Sequence, residues 1–177
     1  KLVIEEEVML VIVGPEDPLV NGIYNFFKAD EALKDIILIG PSKEGAQLEG
    51  SKEFAKQFMQ RHNIPTAKYK SFDVDTITEG VEYLNSLEPP YVLKADGLAA
   101  GKGVVIANNI QQAQQAIHSF LHESCYGEAG RKIVIEEFLS GVELSYIVMI
   151  SRGQVLPLAS SQDHKRRDDG NRGPNTG

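Results

Sequence analysis

Lys94-Ala-Asp-Gly-Leu-Ala-Ala-Gly-Lys-Gly-Val-Val-Ile-Ala107 places two lysines and three glycines between two apolar, β-rich runs. Strand, glycine-rich turn and strand is a shape suited to covering phosphates. Glycines at 97, 101 and 103 allow positive φ and close backbone approach to a ligand, while Lys94 and Lys102 supply charge. The obvious competitor, a P-loop, requires G-x-x-x-x-G-K-[ST] opening a helix. Here Gly97 and Gly101 enclose three residues, Gly103 stands where Ser or Thr belongs, and Val104-Val-Ile-Ala107 reads as strand. A dinucleotide fingerprint fails for the same reason, because it too opens a helix. What remains is a β-hairpin with Lys94 on its entering strand and Lys102 at its tip. Taken alone, it fits a plain hairpin with a solvated lysine as well.

Upstream, Val8-Met-Leu-Val-Ile-Val13 runs unbroken into Gly14-Pro15, the pattern of a strand buried on both faces of a parallel sheet. Leu19, Val20, Ile23, Phe26 and Phe27 then recur on one helical face, and Ile36-Ile-Leu-Ile39 gives a second strand. This β-α-β unit has fewer strands than a doubly wound sheet normally holds, so the module looks cut on its N-terminal side. Ser51 caps a predicted helix to about His62, with Phe54, Phe58 and Met59 as its apolar face, and Asn63-Ile-Pro65 stops it.

From there the pattern predicts a short strand near Ala67–Tyr69 and a helix from Asp75 with Ile77, Val81, Leu84 and Leu87 aligned. Strand Tyr91–Ala95 and strand Gly103–Ala107 flank the glycine loop. A helix capped by Asn109, with Ala113, Ala116, Ile117, Phe120 and Leu121 on one face, leads to strand Lys132–Ile135. The order β-α-β-β-α-β is a small split α+β unit with the glycine loop at its central hairpin, a candidate lid. Strands Leu144–Ile150 and Gln154–Ala159 follow, joined at Ser151-Arg152-Gly153. Gly170 to Gly177 is almost all turn formers, which suggests a polypeptide cut short at this end too.

A chain of 177 residues with 42% hydrophobic content is long enough for one or two units with a core. It has no apolar run near the ~20 residues of a membrane span and no basic-then-apolar leader, so no membrane and a cytoplasmic location are expected. The single Cys125 excludes an internal disulfide framework. The net charge of −7 argues against wrapping nucleic acid. His164-Lys-Arg-Arg167 is a basic patch flanked by Asp163, Asp168 and Asp169; alternating signs fit a site for charged ligands with a metal or ammonium group, or a solvated loop. His118 and His122 lie one turn apart with Cys125 nearby, but no fourth ligand of clear spacing follows, and zinc is rejected.

Five motifs occur in order: Gly14-Pro-Glu-Asp-Pro-Leu-Val20, Gly45-Ala-Gln-Leu-Glu-Gly-Ser-Lys52, the glycine loop from Lys94 to Val104, Ile135-Glu-Glu-Phe-Leu139, and Ser161-Gln-Asp-His-Lys-Arg166 with Gly173-Pro-Asn-Thr-Gly177. Together they closely resemble the phosphoribosylamine–glycine ligase family of ATP-grasp enzymes, over essentially the whole chain. The resemblance implies a partial ATP-grasp fold, mixed α/β and α+β. Residues 1–41 would end a Rossmann-like N-terminal domain, 66–137 form the lid, and 42–65 with 138–177 belong to the core. It also implies a reaction. ATP phosphorylates the carboxylate of glycine, and the amine of 5-phosphoribosylamine attacks the acyl phosphate to give amide, ADP and phosphate. Cations and aligned donors must offset the repulsion between carboxylate and γ-phosphate.

By the family pattern, Lys52 and Lys94 would contact the ATP phosphates, with Gly101, Lys102 and Gly103 closing over them. Glu136, Glu137, Phe138 and Leu139 would read and wall the adenine, and Glu143 would accept the ribose hydroxyls. Glu136 and Glu137 also fit solvated residues at a strand end. Arg166 and Asn175 would lie near the phosphates, where a forked guanidinium suits the charge; with Lys94 they are the expected catalytic residues. Arg167 reads better as a surface charge. Asp163, His164 and Lys165 would line the neighbouring cleft, and Glu16 the phosphoribosylamine side. No metal ligand is expected in this chain. Mg2+ or Mn2+ would be held by a Glu and an Asn beyond residue 177, and the glycine-rich phosphate loop of the N-terminal domain is missing as well. The expectation is therefore a monomer acting on small molecules whose 177-residue piece is inactive alone. Another ATP-grasp carboxylate ligase, or a nucleotide-binding module without chemistry, are the alternatives.

Overall fold

The computed structural model describes residues 1–99, 102–123, 125–164, 166–170 and 172–175, with Arg166, Arg172, Pro174 and Asn175 as backbone only. It divides into two compact units, 1–138 and 139–177. The first opens with α1 (Leu2–Glu5), β1 (Leu10–Ile12), α2 (Glu16–Val20), α3 (Ile23–Ala29) and β2 (Ile37–Ile39). Strands β1 and β2 pair in parallel, Leu10 opposite Ile37. Two expectations fail here. The helix read across Leu19 to Phe27 is two helices, because Gly22 takes a left-handed φ of 89° between them, a conformation glycine adopts without a Cβ penalty. The first strand is covered on one face only: Phe27, Leu33 and Leu38 pack with Val11, Val13 and Ile23, while Leu10 and Ile12 remain exposed.

Next come α4 (Gln47–Gly50) and α5 (Lys52–Arg61). The Ser51 hydroxyl accepts the Phe54 N–H and caps α5 as expected. Then β3 (Tyr69–Asp73), α6 (Ile77–Leu84), β4 (Tyr91–Ala95), β5 (Val104–Ala107), α7 (Ile110–Leu121) and β6 (Lys132–Glu137) run in the β-α-β-β-α-β order. The strands form one antiparallel sheet in the order β3-β6-β4-β5. Period-2 alternation then decides everything about the site. Leu93, Ile133 and Ile135 face α6 and α7 and join Leu84, Ile117 and Phe120 in a fully buried core. Each of these side chains contributes about 1.5–3 kcal/mol by leaving water. Val92 pairs with Glu136 and Lys94 with Val134, so Lys94 and Glu136 share the opposite face.

The second unit holds two hairpins. In one, β7 (Val148–Ser151) and β8 (Gln154–Pro157) meet at Arg152-Gly153, both with positive φ, the type I′ geometry of a two-residue hairpin. These strands are shorter than the sequence pattern predicts. In the other, β9 (Arg166–Asp168) pairs with β10 (Arg172–Asn175). Turn-forming composition had hidden β10.

Candidate functional site

The sheet face opposite the helices is where the charged residues gather. Glu136 is 4% exposed, and one of its oxygens is held by the ammonium of Lys94. The other stands 2.5 Å from Lys56 Nζ, on α5. Burial pushes the Glu136 carboxyl up, but its bonds to Lys56 and Lys94 outweigh that and hold it below the ordinary carboxylate range. It is therefore not a solvated strand-end residue. Lys132 on the same face pairs with Glu53 at 2.5 Å, and the Tyr69 hydroxyl donates to Gln60 at 3.0 Å. Helix α5 thus meets this face through ion pairs where α6 and α7 meet the other through apolar contact.

Lys52 lies at the first turn of the same helix. Its Nζ donates to the Gly97 carbonyl at 3.1 Å and stands 3.4 Å from the Asp96 carbonyl, so it touches the start of the glycine loop. Burial lowers its pKa, Asp96 and Glu49 pull it back up, and the like charge of Lys94 adds to the lowering. With Glu136 offsetting part of the repulsion, Lys52 and Lys94 are two cations within each other's field. They line a cavity of about 340 Å³ together with Lys56, Glu136 and Glu49. Ala55, Met59 and Val134 give it an apolar wall. Its size falls in the range of small-molecule sites.

Asp96 organises the junction. Its carboxylate accepts the Glu53 N–H at 2.7 Å and the Ser51 hydroxyl at 3.0 Å, and its carbonyl accepts the Lys52 N–H at 3.1 Å. An anion at a helix N-terminus meets unpaired N–H groups and the positive end of the dipole. The glycines of the loop act differently from expectation. Neither Gly97 nor Gly103 has positive φ. A Cβ on Gly103 would come 2.6 Å from that of Ala99, and one on Gly97 would come 2.9 Å from Ala129 Cα. The space they save lets the loop pack on its own chain.

Of the residues anticipated from sequence, Lys52, Lys94 and Glu136 come together in the first unit. Lys102 is exposed beside a buried Gly103, and Glu16 is exposed at the start of α2. Glu137 N–H donates to the Lys68 carbonyl at 3.0 Å, and its carboxylate accepts the Lys68 N–H at 2.9 Å, so that backbone donor is already used. Phe138 and Leu139 are exposed. In the second unit Leu139 and Glu143 flank a recess of about 300 Å³, and Asp163 and His164 are exposed. Arg167 pairs with Asp168 at 2.7 Å. Gly101 and Lys165 lie outside the described residues, and the backbones of Arg166 and Asn175 belong to β9 and β10. Sequence reasoning passed over Lys56 and Asp96. The i, i+4 spacing from Lys52 was the available signal for Lys56.

Among the described residues no group of three or more His, Cys, Asp or Glu side chains is arranged to hold a metal ion. No helix there is long and apolar enough to cross a membrane.

Comparison with known proteins agrees with this architecture. The phosphoribosylglycinamide synthetase N domain matches residues 1–49, and the phosphoribosylglycinamide synthetase ATP-grasp (A) domain matches residues 50–177. The phosphoribosylamine–glycine ligase of Escherichia coli is 51% identical over 172 residues, 97% of this chain and 39% of the relative. The chain thus spans about two fifths of the length of such curated relatives. The crystal structure of phosphoribosylamine–glycine ligase from Thermotoga maritima superposes with a TM-score of 0.70 at 40% identity, over 78% of this chain and 35% of that one. A biotin carboxylase from Campylobacter jejuni in complex with β-γ-ATP gives 0.73 at 21% identity, over 93% and 37%. At that identity the likeness speaks for the ATP-grasp fold alone.

Proposed function

The chain belongs to the phosphoribosylglycinamide synthetase family, and from that premise we propose that the complete protein joins glycine to 5-phosphoribosylamine at the expense of ATP, with Lys52 and Lys94 of this chain holding the polyphosphate. The observation that carries the proposal is the pair of partly buried lysines, Lys52 and Lys94, that line one cavity. Glycine carboxylate and γ-phosphate are both anionic, so transfer needs fixed positive charge at the point of approach. At a surface-like dielectric, one ammonium–phosphate contact near 4 Å is worth on the order of 4 kcal/mol before desolvation. Two such contacts, pre-positioned by α5 and β4, lower the barrier without reorganisation during the step.

The adenine role falls to the backbone beyond Glu137, whose own N–H is taken by Lys68, with Phe138 and Leu139 as walls. Glu143 is assigned to the ribose, Arg166 and Asn175 to the phosphates, and Gly101, Lys102 and Gly103 to their cover. Asp163, His164 and Lys165 are assigned to the neighbouring ligands and Glu16 to the phosphoribosylamine side. On this reading 66–137 is the lid, while 42–65 and 138–177 are core. A cytoplasmic monomer belongs to the same proposal. Magnesium, when bound, would screen the phosphate charge; among the described residues no group of three or more His, Cys, Asp or Glu side chains is arranged to hold it.

The test is ADP release by the complete protein. Release should require glycine and 5-phosphoribosylamine together. Turnover indifferent to glycine would point to another carboxylate ligase and defeat the assignment.

A further inference from the structure

A lysine already neutralised by a buried carboxylate has little to offer a phosphate, and Lys94 is paired with Glu136. The way out is on the other side of Glu136. Its second oxygen is 2.5 Å from Lys56 Nζ, so two ammoniums share one carboxylate and the trio keeps a net positive charge. The two lysines are not equivalent. Lys56 is nearly enclosed, with 11% of its side chain exposed against 31% for Lys94. Lys56 also donates to Thr66 Oγ1 at 2.8 Å, stands 3.5 Å from the Ala67 carbonyl and lies 5.5 Å from the centre of the Tyr69 ring. An ammonium has three N–H donors, and those of Lys56 are spent inside the protein. Both lysines border the cavity, and the charge left over is presented by Lys94, the more exposed of the two.

We propose that Lys56 is a positioning residue of the nucleotide site: it neutralises Glu136 from the enclosed side, so that Glu136 fixes Lys94 in place without cancelling the charge Lys94 presents to a polyphosphate. This rests on the reading of the cavity as a phosphate site. Glu49, the other carboxylate bordering the cavity, is exposed and acts on Lys52; solvent screens it. A lysine at position 52 alone would give one point of charge. Lys56 makes it two, while its own N–H donors are taken up inside the protein.

The charges predict a reversal that packing does not. In the complete protein, titrated calorimetrically with ATP, Lys56→Met leaves Lys94 and Glu136 as a neutral pair and should weaken affinity about tenfold or more. Adding Glu136→Gln to that variant removes the carboxylate while the amide carbonyl still accepts from Lys94. Affinity should then return to within about threefold of the unaltered protein. Lys56→Arg, which keeps the charge, should bind nearly as well as wild type. A double variant as weak as Lys56→Met would overturn the proposal and leave Lys56 a packing residue. If Lys56→Met does not fold, the double variant, which carries no unpaired buried carboxylate, bears the test by itself through the same comparison with wild type. Lys94→Met separates the two levels. If it leaves affinity unchanged the phosphate reading itself fails, whereas if it weakens binding and the reversal is absent, only the role of Lys56 fails.

Discussion

Asp96 joins two elements far apart in sequence with one carboxylate, taking the Ser51 hydroxyl and the Glu53 N–H at the mouth of α5. Asp96→Ala should cost about 1–2 kcal/mol, the range of lost helix caps, read as a shift in the urea midpoint with unchanged slope. No shift would mean the Ser51 cap suffices alone. Glu136 makes a prediction in pH. Its folded pKa is held below the ordinary value of 4.5, so its stabilisation is fully present above that value and is lost as pH falls through the folded one. Between neutral pH and 4.5 the unfolding free energy should be insensitive to this group. Below 4.5 wild type should lose stability more steeply than Glu136→Gln, and parallel curves there would contradict the ion-paired assignment. The motifs singled out Lys94 and Glu136 in the sequence, but not the buried ion pair they form. Lys56 and Asp96 were not legible, because a lysine inside an amphipathic helix and an aspartate before a glycine look like ordinary solvated residues until the sheet face is known.

The β4–β5 hairpin shows what the glycines are for. Gly103 is buried and flush against Ala99 and Ala95, so Gly103→Val should overpack the turn. A loss of about 1–3 kcal/mol is expected, with faster amide exchange across β4 and β5 than across β3. Unchanged exchange would mean the turn adapts. The core under α7 is of another kind: Ile117 is fully buried, and Ile117→Ala should cost about 2–5 kcal/mol, measured by denaturant unfolding with nucleotide affinity little changed. Elements with strong periodicity were legible to the residue or nearly so. The five residues Ala113, Ala116, Ile117, Phe120 and Leu121 form the buried face of α7 as the 3.6-residue repeat requires, and Asn109 caps it through the Gln112 N–H. The helix broken at Gly22 and the strand β10 were not, because a single left-handed residue and a hairpin pairing are decided by geometry that composition does not record.

For the molecule as a whole, the split sheet sets the logic. One face is closed by α6 and α7 with apolar side chains; the other is bridged to α5 by ion pairs and leaves the cavity between them. Fold and site are thus two sides of the same four strands. The family and the ATP-grasp architecture are common to the chain and its relatives, while the ligase activity is assigned to the complete protein, of whose curated relatives this chain spans 39%. The central claim is that Lys94 holds phosphate charge in this cavity. Its most direct test is ATP titration of the complete protein carrying Lys94→Met or, separately, Lys102→Met. Lys94→Met should weaken binding at least about tenfold, and the exposed Lys102 should matter less. Affinity retained in Lys94→Met would contradict the account.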